Sequence, residues 1–352
     1  MNSIVIVASS GYSRQRKRIY LTKETRMSFY MPPEWASHQR MFIEWPVADP
    51  VWGEDLPLAY EAFAEVSKAI ARFEPVTVLL NPGEEKYAGM LGGSVDTRII
   101  PHNDCWVRDN GPTFVQSGNE LIGMHWNFNA WGGKYPHVEL DRNVPSELCG
   151  IFDIREHKVP MILEGGSIHT NGAGTILTTA ECLLNPNRNP EMTRDEIDRI
   201  LCESLGASRV VYIPEGLFAD ETDGHVDNIA CFLDEKTVLM PFTEDRSDPN
   251  YDRLRTARRV VKEAGLQIEE IIHPPLTEEN GEPLTLSYVN FVFVNNGIVL
   301  PGFGGDLSGA DSKAKERLAE LFPNREIIQP GTRDIIRGGG NIHCITQQMP
   351  AL

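Results

Sequence analysis

The stretch Gly338-Gly339-Gly340-Asn341-Ile342-His343-Cys344-Ile345-Thr346-Gln347-Gln348 decides how the whole chain is read. Three glycines let a backbone approach a ligand or take positive φ. A short β-type run follows them, and one cysteine sits in it. Taken alone, that thiol reads as core, since free Cys is among the most buried residue types. What it shares with the rest of the chain changes the reading.

Working outward, four earlier stretches follow the same plan: a polar or glycine-bearing start, an apolar strand, a tight turn and a second apolar strand. They are Arg108–Val115, turning at Ser117-Gly118-Asn119; Glu164–His169, turning at Asn171-Gly172; Gly224–Ala230, turning at Asp234-Glu235-Lys236; and Ser287–Val294, turning at Asn295-Asn296-Gly297. Asn-Gly and Ser-Gly turns between apolar runs are hairpin signals. Helices and single strands lie between them. Thr193-Arg194-Asp195-Glu196 is a capping box ahead of Ile197, Ile200, Leu201 and Leu205, with Gly206 as the stop and Arg209–Ile213 as the strand. Tyr251 to Val261, Gly265 and Gln267–Ile272 repeat that order, as do Ala314, Leu318 and Leu321 ahead of Glu326-Ile327-Ile328. Near the start, Leu58 to Phe73 reads as a helix with Val76–Leu80 behind it. Glu84–Met90 with Arg98-Ile99-Ile100 reads as a shorter version.

The unit is hairpin, helix, strand, and about five copies fill the chain. The Cys344 segment has no helix after it; its missing parts lie at the N-terminus, where Arg40–Trp45 can supply the partner strand, closing the array and removing its exposed edges. The expectation is an α/β protein with one closed domain over 31–352; a stack of two α/β domains is the alternative. Residues 1–26 carry Arg14, Arg16, Lys17, Arg18, Lys23 and Arg26 against Glu24, and 1–30 is read as a poorly ordered basic leader or an over-extended start. The apolar Ile4–Val7 precedes the basic residues and is too short for a signal peptide.

Composition narrows the classes. No run approaches the roughly 20 apolar residues of a membrane span. The net charge of −17 argues against nucleic acid and anionic membrane surfaces as partners. The six cysteines form no CxxC pair, which suggests neither a zinc framework nor a disulfide scaffold and fits the cytoplasm. A homo-oligomer is compatible with these totals but is not read from them.

Each repeat opens on a residue unusual for a strand entering a core: Asp109, Glu164, His225 with Asp227, Ser287 or Asn290, and Cys344. Each alone has a plain reading as a turn, cap or core residue. At equivalent places in a radial repeat, however, they would meet at one centre. Cysteine with histidine points to covalent catalysis with an acid–base partner. Three carboxylates in one buried place cost several kcal/mol unless a cation neutralises them. A guanidinium, planar and rich in N–H donors, fits that need. A metal fits less well, because no HxH or HExxH spacing appears and Cys344 would be idle.

The chain resembles the agmatine deiminases, within the guanidine-modifying (pentein) superfamily. The resemblance runs from Met31 to Gln348. It is carried by Pro33-Glu34-Trp35, Trp45-Pro46, Trp106–Pro112, Asn129-Ala130-Trp131-Gly132-Gly133-Lys134-Tyr135, Glu164–Ser167, Asp220–Asp227 and Gly338–Cys344. It implies a five-bladed α/β propeller, and no metal or organic cofactor. It further implies Cys344 as nucleophile, His225 as general acid and base, Asp109 and Asp227 as guanidinium holders, and Glu164 beside the guanidinium and His225. The substrate-binding set is Trp106, Trp131, Lys134 and Glu221, with Asp220 as the runner-up to Glu221. The implied reaction is agmatine plus water to N-carbamoylputrescine and ammonia. Lys134 and Arg108 could instead greet a carboxylate, leaving peptidylarginine or free arginine deimination to citrulline as the alternative. A non-catalytic binding module on the same propeller is the alternative of another class.

Overall fold

The computed structural model describes residues 28–47 and 52–352. The leader read over 1–26 lies outside the described residues. Folded structure is under way ahead of Met31: Tyr30 exchanges backbone hydrogen bonds with Gln116, and the Phe29 ring rests 5.2 Å from that of His157.

The repeat is visible strand by strand. The first sheet holds β1 (His38–Glu44), β2 (Val76–Leu80) and β3 (Val95–Ile99). The helix Leu56–Ile70 carries the chain from β1 to β2, as a parallel pair requires. Next come β4 (Thr113–Ser117) and β5 (Glu120–Asn127), an antiparallel hairpin, then the helix Val144–Ile151 and a parallel β6 (Arg155–Ile162). The plan recurs in β7 (Ile168–Thr170), β8 (Thr175–Thr179), the helix Arg194–Leu205 and β9 (Arg209–Ile213). It recurs again in β10 (Cys231–Phe232), β11 (Thr237–Phe242), the helix Tyr251–Glu263 and β12 (Gln267–Ile272). A short hairpin, β13 (Thr277–Glu279) and β14 (Glu282–Leu284), stands outside the pattern. Then β15 (Val292–Val294), β16 (Gly297–Val299), the helix Ser308–Leu321 and β17 (Glu326–Ile328) repeat the plan once more.

The last strand, β18 (Thr346–Pro350), pairs antiparallel with β1, with Met41 opposite Gln348 and Ile43 opposite Thr346. The sequence expects this partner, and it completes the unit that the Cys344 segment begins. The sheets remain separate. Neighbours are joined instead by helices: Tyr251–Glu263 packs on both β9 and β11, and Ser308–Leu321 on both β12 and β17. Leu254, Ala257 and Val261 of the first of these bury themselves among Leu177, Ile213, Val238 and Met240. Burial of Leu254 and of Val261 contributes about 1.5–3 kcal/mol each, and the smaller Ala257 less. The capping box at Thr193 and Glu196 forms as expected, and Gly206 ends that helix at φ 70°.

One expectation is corrected. The polar openings of the repeats are not strand. Asp109 lies in a helical turn, Val107–Asn110; Glu164 precedes the turn Gly165–Ser167; Asp227 is in the turn Val226–Asn228; and Cys344 sits in a turn closed by the Ile345 N–H on the Asn341 carbonyl. β10 is accordingly two residues long and β18 starts at Thr346. The cause is not local: carboxamides and carboxylates here bond across units rather than along a ladder, and the turn aims them inward.

Candidate active site

The turns deliver their side chains to one place. Cys344, His225 and Asp109 line a common cavity with Trp106, Trp131, Glu221 and Gly340. Asp227 lies just beneath, its Oδ2 3.6 Å from the Cys344 sulfur. Asn290 donates to the same sulfur at 3.3 Å. A roomier groove beside Phe242, Asp248, His273 and Leu276 lies apart and brings no thiol with it, so chemistry rather than size selects the site.

Two glycines make the convergence possible. A Cβ on Gly166 would stand 2.7 Å from His225 Nδ1 and 2.9 Å from both Asp109 Oδ1 and Asp227 Oδ2. On Gly340 it would strike the Trp106 ring at 2.4 Å. Asp109 is held by the Gly166 N–H at 2.9 Å and the Trp131 indole N–H at 2.8 Å.

The electrostatics follow from burial and pairing. Burial pushes the Asp109 carboxyl up, and the charges of Asp227 and Glu164 add to it. Burial acts the same way on Asp227, but the hydrogen bond and charge of His343, with His225 and Arg108 behind them, bring it below the usual carboxylate range. His225 would lose its proton on burial alone; Asp109, Cys182 and Asp227 around it reverse this and hold it well above an ordinary histidine. Burial, then Asp227 and Asp109, pushes the Cys344 thiol well above its usual value. The resting site therefore pairs a neutral thiol with an imidazolium.

Glu164 is not a lining residue. It lies fully buried behind His225, its Oε2 3.9 Å from Nε2, and Arg188 Nε donates to its Oε1 at 2.7 Å. Arg188 also donates to Asp223 at 2.6 Å and to the Thr222 carbonyl at 2.8 Å, tying down the loop that carries His225. So the three acids do not all await an external cation. Arg188 serves Glu164, His343 serves Asp227, and Asp109 is left with neutral donors and a more distant His225 at 3.8 Å. Asp227 Oδ1 has no hydrogen-bond partner among the described residues. Changing Arg188 to Met is expected to cost about 3–5 kcal/mol of stability by leaving Glu164 buried and unpaired. Chemical denaturation reads this; a loss under about 1 kcal/mol would show that Glu164 does not depend on Arg188.

The substrate-tail expectations divide. Glu221 stands at the mouth and accepts from the Tyr135 hydroxyl at 3.2 Å. Asp220 is turned back onto its own loop, accepting from the Thr222 N–H and Asn228, so it does not line the cavity. Lys134 is likewise occupied, straddling Asp223 at 2.7 Å and the Glu221 carbonyl. Arg108 is buried, donating to Gln348 at 2.7 Å and to the His343 carbonyl at 3.2 Å. Neither cation is free to meet a substrate carboxylate. Trp106, stacked on Trp52 at 6.3 Å, and Trp131 form apolar walls.

Among the described residues, two donor sets have the closeness a metal would need: Glu164 with Cys182 and His225, and Glu34 with His169 and His343. Each already faces a guanidinium of the protein, Arg188 or Arg108, which supplies the positive charge a metal would bring.

Sequence reasoning did not give Arg188, Glu34 or His343 a role. Arg188 has no local signal, since its partner lies in another turn. His343 and Glu34 stood inside quoted motifs, and adjacency to Cys344 was the signal available for His343.

Similarity to known proteins agrees with this geometry. The agmatine deiminase of Stutzerimonas stutzeri is 42% identical over 357 residues, covering 92% of this chain and 96% of its own. The solved agmatine deiminase of Enterococcus faecalis, caught catalysing its reaction, superposes with a TM-score of 0.86 at 32% identity, over 92% of this chain and 96% of that one. A Campylobacter jejuni agmatine deiminase with substrate bound gives 0.86 at 30% identity, over the same shares. The family described as Porphyromonas-type peptidyl-arginine deiminase matches residues 30–350, and with likeness of this extent the chain belongs to it.

Proposed function

We propose that the protein is a cysteine hydrolase on a five-bladed α/β propeller, converting agmatine and water to N-carbamoylputrescine and ammonia. The five repeated units, their bridging helices and the β1–β18 pairing support the propeller. The observation that carries the chemistry is the meeting of Cys344, His225 and Asp109 in one cavity, above Asp227 and its unpartnered oxygen. A cytoplasmic setting in polyamine biosynthesis suits this reaction.

The guanidinium brings the charge the resting site lacks. Between Asp109 and Asp227, it meets one carboxylate oxygen that has no donor and one group whose pKa burial has raised. Its charge offsets the burial and the two acids that keep the Cys344 thiol protonated, so the thiol releases its proton to solvent as substrate binds, and the thiolate forms beside the substrate while His225 keeps its own proton. Sulfur attacks the central carbon; the tetrahedral adduct expels one nitrogen, which leaves as ammonia with the His225 proton. A thiouronium on Cys344 remains. The now neutral His225 takes one proton from water as the oxygen adds to the carbon; collapse then expels the thiolate, and the remaining hydroxyl proton passes to solvent, where it makes the released ammonia ammonium, leaving the neutral ureido product.

The free amine of agmatine meets Glu221 at the mouth. With Lys134 and Arg108 engaged elsewhere, a substrate carboxylate finds no comparable partner, which favours agmatine over arginine. Purified protein is offered agmatine, arginine and a peptide ending in arginine, and ammonia is measured. Agmatine is expected to react fastest, and Glu221→Gln to raise its KM severalfold, about 1 kcal/mol for a solvated ion pair. Faster release from the peptide would move the substrate to peptidylarginine; no ammonia from any of the three would leave only a binding module.

A further inference from the structure

We infer that His343 is a positioning residue for the guanidinium site: seated between Glu34 and Asp227 as a doubly donating imidazolium, it keeps Asp227 ionised and aimed before a substrate cation arrives. This rests on the deiminase reading for its kinetic consequence, though not for its geometry.

The imidazole is 2% exposed, and both of its nitrogens face carboxylates. Nδ1 lies 2.9 Å from Asp227 Oδ2; Nε2 lies 2.9 and 3.1 Å from the two oxygens of Glu34. A neutral ring has one N–H and cannot donate to both. The remaining charged and titratable neighbours have been assigned by their other bonds. Arg108 approaches Glu34 at 3.5 Å and opposes the ring's proton, but its strongest bond goes to Gln348. His169, stacked at 6.3 Å, accepts the Phe232 N–H on Nδ1 and turns Nε2 toward Glu34 at 3.6 Å. On the far side of Asp227 are His225, Asp109 and the Cys344 thiol. Burial and Arg108 pull the His343 pKa down, and the two carboxylates more than reverse them, leaving it raised; Glu34 ends well below the usual range.

Consequently one oxygen of Asp227 is spent on a fixed internal cation, and the other, Oδ1, lies buried with no hydrogen-bond partner among the described residues. Without His343, Asp227 would sit in the empty site near Asp109 with only the charges of His225 and Arg108 against burial, and would take up a proton at higher pH. Substrate restores the lost charge, so the defect belongs to the free enzyme and fades in the complex. kcat/KM reports ionisations of the free enzyme and kcat those of the complex.

The test replaces His343 with Asn, which offers an uncharged N–H near the Nδ1 position, and measures ammonia release from agmatine across pH. The acid limb of kcat/KM should move up by about one pH unit, a tenfold loss on the acid side, while kcat keeps its limb and is largely retained at higher pH. Equal losses of kcat and kcat/KM with unmoved limbs would reduce His343 to a packing role and overturn the inference. In parallel, ring nitrogen-15 NMR of the unaltered enzyme should show His343 as an imidazolium well above pH 6.5, and Glu34→Gln should bring its titration down. A neutral ring at pH 7 in the unaltered enzyme would overturn the inference even if no variant folds. Failure of the unaltered enzyme to act on agmatine would instead sink the deiminase reading, and the ring titration would still decide this one.

Discussion

Cys344→Ser is expected to lower ammonia release from agmatine by roughly a thousandfold or more, without loss of fold or of agmatine binding. The reason is that sulfur alone makes the bond. Asp109, Asp227 and Glu221, which hold the substrate in the proposed mechanism, are untouched by the change. A hydroxyl in its place cannot ionise beside Asp109 and Asp227 even with a guanidinium bound, since its pKa lies far above that of a thiol. Asn290 would donate to the serine oxygen in place of sulfur, so the turn should keep its shape. Mass spectrometry of acid-quenched, unaltered enzyme should find an adduct on Cys344 during turnover, and none on the variant. Retention of more than a tenth of the rate would move the nucleophile elsewhere.

Asp227→Asn carries the second large effect. The change removes a charge that faces three ways: to the His343 imidazolium, to the substrate, and to the Cys344 thiol. Breaking a buried charge pair at a binding site costs about 2–5 kcal/mol, so kcat/KM should fall by roughly 30- to 5,000-fold. The pH dependence of the thiol separates electrostatics from simple misfolding. Asp227 is one cause of the raised Cys344 pKa, so in the variant the free thiol should ionise at lower pH than in the unaltered enzyme. Alkylation by a neutral reagent against pH measures this. An unmoved thiol profile together with near-normal turnover would remove Asp227 from the site.

The same residue bears on acid stability. Its folded pKa is depressed, so its contribution is present above the ordinary Asp range near 3.9 and is lost as pH falls through the lower folded value. His343 has the opposite sign: its raised pKa adds stability below about 6.5, lost as pH rises through the folded value.

Much of this architecture was legible because the repeat writes itself in short-range signals. Turn residues at Gly118, Asn171 and Asn296, the Thr193 box and the 3.6-residue stripe from Leu254 to Val261 are all local, and they fix hairpin, helix and strand. Equivalence of position then placed Asp109, His225 and Cys344 together. The helical turns around those residues were not legible: Val107 to Asn110 or Gly224 to Ala230 read as strand because flanking apolar residues dominate the pattern, while the decisive bonds cross between units. The β13–β14 hairpin escaped notice although Asn280-Gly281 marks its turn, because it belongs to no repeat. Arg188, Glu34 and His343 were missed for one physical reason. Each compensates a charge on another segment, and apart from the adjacency of His343 to Cys344 nothing beside it in the chain names that partner.

The pairing of β1 with β18 has a consequence during biosynthesis. The two strands are separated by roughly three hundred residues, and a ribosome adding about 5–20 residues per second leaves β1 waiting some tens of seconds for its mate. Throughout that interval the Met41-Phe42-Ile43 edge is open on one side, a template for any other nascent strand. The thiol arrives in the same late segment. On the proposed mechanism, a chain stalled short of it is therefore both sticky and inert, and activity begins only once synthesis has delivered Cys344 and β18.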